Sequence, residues 1–104
     1  MKLSVRERLV ILSVLPPEGD FITLKVVGKL KNDLSFSEDE IKLYKFVQAE
    51  SSVTWDNKIE QEKAIEIGTK AKTVIAEALE KLDKEKKLRE DHISIYEKFV
   101  DKGN

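Results

Sequence analysis

Ala71, Val74, Ile75, Ala78, Leu79 and Leu82 recur at steps of three and four from Thr69 onward, the spacing that lines side chains along one face of an α-helix. Such a helix is marginal by itself in water, because its apolar stripe gains free energy only by packing against another surface. The chain must therefore supply a partner. The strongest candidate is Leu9-Val10-Ile11-Leu12-Ser13-Val14-Leu15, interrupted only by Ser13 and so suited to a central position. Ser4-Val5-Arg6-Glu7 precedes it with the form of a capping box, and Pro16-Pro17 ends it. Helices are expected over 5–15 and 69–86, forming the centre. On the solvent face of the second, Glu77 with Lys81 and Glu80 with Lys84 are spaced for ion pairs.

Between these helices the pattern changes several times. Asp20 can cap a helix in which Ile22, Val26, Val27, Leu30 and Leu34 fall near one face. A strand over 21–27 is the rival reading, since Ile22, Leu24 and Val26 alternate among β-branched neighbours. Ser37-Glu38-Asp39-Glu40 is a second capping box, opening a short helix to about Lys45. Phe46 to Ala49 and Val53 to Trp55 read as two short strands around Glu50-Ser51-Ser52. Asp56 to Glu62 is polar and loop-like; Ala64 to Ile67 can add a third short strand that Gly68 closes. A last helix from about Glu90 to Val100 presents Ile93, Tyr96 and Val100, with Ile95 and Phe99 beside them. The expected fold is one mostly helical α+β domain over 1–104, with about five helices and a small antiparallel β-hairpin.

At an offset of 52, Lys29, Leu30, Glu38, Asp39, Ile41 and Tyr44 recur as Lys81, Leu82, Glu90, Asp91, Ile93 and Tyr96. The shared content is a long helix, a turn around Phe36 or Leu88, and a shorter helix that starts with acids. Chance is the competing explanation, because helices rich in Lys and Glu resemble one another cheaply.

Composition excludes several classes. Charged residues are 38% of the 104 and hydrophobic residues 40%, enough for a core. Lys plus Arg number 19 against 20 acids, so no polycationic footprint for nucleic acid exists. With no cysteine, disulfides and thiolate metal sites are excluded and the cytoplasm is the default compartment. Met1 to Pro17 has a basic flank and an apolar run, but Glu7 and Pro-Pro-Glu-Gly fit a mature helix better than a signal peptide. No run approaches the ~18 apolar residues of a membrane span.

Candidate chemistry is sparse. His92 is the only histidine and is expected on the surface; one imidazole without thiolates does not complete a zinc site. There is no Gly-x-Ser-x-Gly, and Gly19, Gly28, Gly68 and Gly103 are too scattered to cradle a phosphate. Glu38-Asp39-Glu40 and Glu90-Asp91 can hold a cation or exchange protons, yet acids in a first helical turn are explained by the dipole. Residues 4–56 follow the helix, helix, helix, hairpin order of a winged helix-turn-helix, the alternative functional reading. Against it, three carboxylates open the helix that would meet phosphates. Lys81, Lys84, Lys86, Lys87 and Arg89 are interleaved with acids, the pattern of a solvated face. That leaves Trp55, the one tryptophan, either a core residue or, with Val53 on the same strand face, a partner contact.

Phe21-Ile22-Thr23-Leu24-Lys25, Leu34-Ser35-Phe36-Ser37-Glu38, Trp55, Ile65-Glu66-Ile67-Gly68 and Ile95-Tyr96-Glu97-Lys98-Phe99 together resemble small uncharacterised proteins encoded in bacteriophage and prophage genomes. The resemblance spans nearly the whole chain and implies a setting: an accessory protein acting inside a bacterial host by contact with a protein partner. The functional expectation is a non-enzymatic protein-interaction module without cofactor or metal, its contact residues Val53 and Trp55. Its partner is a protein, a homo-oligomer being one form; nucleic acid is disfavoured and no membrane is involved.

Overall fold

A computed structural model describes residues 1–48, 52–56, 58 and 62–101. In chain order the elements are β1 (Lys2–Leu3), α1 (Val5–Val14), α2 (Phe21–Leu34), α3 (Glu38–Leu43), β2 (Val47–Gln48), β3 (Val53–Thr54), β4 (Lys63–Ala64), α4 (Thr69–Lys84) and α5 (Glu90–Phe99). The mostly helical α+β class is thus observed. Both capping boxes form: Ser4 Oγ accepts from the Glu7 N–H at 3.1 Å while Glu7 accepts from the Ser4 N–H at 2.9 Å, and Ser37 and Glu40 reproduce the exchange at 3.1 Å each way. Asp20 accepts from the Thr23 N–H, so residues 21–27 are helix and the strand reading is excluded.

α1 lies at the centre, packed against α2, α4 and α5. Around it Leu3, Ile11, Leu15, Val27, Leu30, Leu34, Ile65, Ile67, Val74, Ile75, Leu79, Ile95 and Phe99 form the core. Each such side chain contributes about 1.5–3 kcal/mol by leaving water. The stripe read from α4 is the face it buries, with Val74, Ile75 and Leu79 innermost.

Several expectations are corrected. Ile22 is 61% and Ile93 55% exposed; Ile93 stands two residues before Ile95, nearly opposite on the helix. Leu9, Val10, Leu12 and Val14 are only half-buried, while Glu7 and Arg8 of the same helix are buried. The third strand does not extend the hairpin. β4 pairs antiparallel with β1, Lys2 opposite Ala64 and Leu3 opposite Lys63, because Ile65 and Ile67 must enter the core and the Ile65 N–H reaches the Met1 carbonyl at 2.8 Å. β1 has no signal in so short a segment. The Glu77–Lys81 and Glu80–Lys84 pairs are not among the ion pairs of the described residues.

Two helices end in the same unusual way. After α3, Lys45 takes φ 55°, with the Phe46 N–H donating to Ile41 O and the Lys45 N–H to Lys42 O. After α4, Lys86 takes φ 57°, with Lys87 bonding to Leu82 and Lys86 to Asp83. These are Schellman ends with lysine where glycine is usual. No helix among the described residues is long and apolar enough to cross a membrane.

Candidate protein-contact site

The hairpin and α3 are placed by one buried cation. Arg8, 1% exposed, reaches out of α1 and donates to Leu34 O at 3.3 Å, Ser35 O at 2.5 Å and both Glu40 carboxylate oxygens at 2.6 and 3.3 Å. Its guanidinium also stacks on the Phe36 ring, 3.9 Å from the centroid. The last carbonyl of α2, the turn and the first turn of α3 are thereby tied to the central helix. This tie matters because α3 itself has no buried residue. Hydrogen bonding from Arg8, aided by the Ser37 N–H and the Lys63 charge, outweighs desolvation and holds the Glu40 carboxyl down at about 2. The acidic cluster thus divides: Glu38 and Asp39 are exposed, and Glu40 is committed to Arg8.

Beyond α3 the chain turns back as an antiparallel pair, Val47 opposite Thr54 and Gln48 opposite Val53. The expected turn lies partly outside the described residues. One rung further, Phe46 faces Trp55 with centroids 6.0 Å apart, and the Asp56 N–H closes the base on the Tyr44 carbonyl at 2.8 Å. Phe36 and Tyr44 flank Phe46 with tilted rings at 4.9 and 6.5 Å, within the centroid range of favourable aromatic pairs. Period-two alternation puts Phe46, Gln48, Val53 and Trp55 on one face, and Val47 and Thr54 on the other.

Trp55 is not enclosed in the core. It is half-buried, as is Val53, and the two line a hollow of about 250 Å³ with Arg6 and Thr54. Arg6 stands 5.7 Å from the Trp55 ring and 3.4 Å from the Asp91 carboxylate. Ile41 and Leu43 on α3 and Val47 on β2 are 42%, 60% and 61% exposed. Val53 and Trp55 are therefore together, as alternation required. Arg6 and the aromatic cluster are added by the fold, and no sequence signal links Arg6 to a tryptophan in a distant hairpin.

The remaining candidates take structural places. His92 is buried rather than on the surface, and its Nδ1 accepts the Arg89 N–H at 2.8 Å, serving the start of α5. Asp91 pairs with Arg6. Glu7 is buried against α5: desolvation raises its carboxyl, but hydrogen bonds from Lys98, Ser94 and the Ser4 N–H more than reverse this, so it titrates below its ordinary range. No group of three or more His, Cys, Asp or Glu is arranged to hold a metal among the described residues. The helix, helix, helix, hairpin order is present, yet α3 spans six residues and opens on exposed Glu38 and Asp39, a surface that repels phosphates. No protein-family model, curated protein or solved structure matches the chain. What the arrangement offers is an aromatic face with one guanidinium, the residue types that anchor protein interfaces.

Proposed function

We propose that this protein is a non-enzymatic interaction module that binds a protein partner through its α3–hairpin face, as a phage or prophage accessory protein in the bacterial cytoplasm. The supporting observation is the hollow lined by Arg6, Val53 and Trp55, together with exposed Ile41 and Leu43 on α3 and Val47 on β2. Apolar side chains left in water at the end of a helix that buries nothing are a cost to the free protein, and a partner recovers it. Tryptophan and arginine at one spot are the commonest hot-spot residues.

The test is affinity capture from a bacterial host, followed by binding measurements on the purified partner. Trp55→Ala and Val53→Asp should each weaken that complex by ~2 kcal/mol or more. Leu43→Asp and Val47→Asp, at exposed positions, should weaken it without moving the urea midpoint. Tryptophan emission should shift to the blue on complex formation. Capture that all four variants leave unchanged overturns the reading, and light scattering tells a second copy of the chain from a different partner. DNA retained at low salt and released by high salt would favour the winged-helix alternative instead.

A further inference from the structure

A second cavity opens where the C-terminal end of α1, the last turns of α4 and the start of α5 meet. It has a volume of about 440 Å³, within the range of small-molecule sites. Leu15, Pro16, Ala78 and Leu82 supply an apolar wall, and Lys81, Lys87 and Arg89 line it with Glu85 as the lone acid. Glu85 lies 3.7 Å from Lys87. Lys81 and Arg89 make no ion pair among the described residues.

His92 gives this cavity a second, independent feature. The residue is 8% exposed and lines the cavity. Because its Nδ1 accepts the Arg89 N–H, the neutral ring carries its proton on Nε2. That N–H has no hydrogen-bond partner among the described residues. Nor is it sealed away, since no described buried side-chain nitrogen or oxygen is both enclosed and unsatisfied. Nε2 is therefore open to solvent, as a donor with no protein acceptor among the described residues. A donor that reaches solvent in a cavity also lined by a guanidinium and two ammonium groups is placed for an acceptor of negative charge.

We propose that this cavity binds a small organic oxyanion, its phosphate or carboxylate group taken by Arg89, Lys81 and the His92 Nε2–H and its apolar body lying against Leu15 and Leu82. The guanidinium offers the paired donors that match an oxyanion's geometry. The apolar wall accounts for a cavity larger than an inorganic ion needs. The competing account is that Lys81 merely complements the α4 dipole, which predicts no anion affinity here beyond that of any other lysine.

Phenyl phosphate, inorganic phosphate, benzoate and phenol, titrated separately into the full chain and followed by amide and histidine-ring NMR, decide between them. Phenyl phosphate or benzoate should bind saturably with a Kd of about 1 mM or lower, shifting the His92 ring and the Leu15 and Leu82 amides; which binds tighter tells phosphate from carboxylate. Inorganic phosphate and phenol, each lacking half of the ligand, should bind more weakly. Arg89→Gln keeps the backbone N–H that His92 accepts and should raise the Kd about tenfold with an unchanged urea midpoint. The proposal is overturned by shifts that fail to saturate, that spread evenly over all lysine-bearing helices, or that persist unchanged in Arg89→Gln.

Discussion

The α2–α3 and α4–α5 pairs are built on one plan and end differently. In each, a long helix and a half-buried turn residue, Phe36 or Leu88, lead to a shorter helix. In each, the third residue of that helix reaches back to the backbone N–H before it: Glu40 to Ser37, and His92 to Arg89. Ile41 and Ile93 are both exposed. The divergence follows at once. Leu43 is 60% exposed where Ile95 is fully buried, and Val47 is 61% exposed where Phe99 is 2%. α5 is thus held by apolar burial, whereas α3 stops at Leu43 and is held by the Arg8–Glu40 pair. The lesson is that a shared local pattern determines how a helix begins, while what it packs against determines whether it continues. The α3 end keeps the exposed apolar residues that the interaction reading uses.

The comparison can be broken at its strongest point first. Phe99→Ala should cost about 3–5 kcal/mol in urea unfolding, through lost transfer energy and the cavity left behind. A loss below about 1 kcal/mol would mean that α5 is not held by its apolar face. Arg8→Leu should cost about 2–4 kcal/mol, because it strands Glu40 and two backbone carbonyls; Glu40, 16% exposed, can recover some hydration. Its signature should be local, with α3 amides losing hydrogen-exchange protection before those of α5. Equal loss in both helices would show that Arg8 supports the whole molecule rather than α3.

Acid sharpens the contrast. Both Glu40 and Glu7 titrate below their ordinary value in the folded protein. The stability they contribute is therefore complete above the unfolded carboxyl's pKa near 4.5 and is lost as pH falls through the folded values, toward about 2 for Glu40. Glu40→Gln should remove the part of this acid loss that belongs to α3, and Glu7→Gln the part belonging to α5. An acid slope that survives in the double variant would place its source elsewhere. The smallest effect is expected at Gly28, whose counterpart at the same offset is Glu80. An added Cβ at Gly28 meets nothing within 4 Å, so Gly28→Ala should stabilise the protein by about 0.5–1 kcal/mol. A destabilised variant would show that the outer face of α2 is not open.

Local chemistry made much of the chain legible. Ser4, Asp20 and Ser37 mark helix starts because a cap is made with residues three positions away, and the α4 stripe is a matter of period alone. Val53 and Trp55 could be placed on one face for the same reason. By itself, then, the sequence determined the five helices, the hairpin and the mostly helical class. Tertiary structure decided what those elements do to one another. It buried Arg8, Glu7 and His92, turned Ile22 and Ile93 outward, paired β4 with β1, and set Arg6 against Trp55. Each of these depends on a partner far along the chain, as with Arg8 and Glu40, separated by 32 positions. A charge is buried only where another group neutralises it or accepts its hydrogen bonds, and here that group lies at a distance not written in any local period.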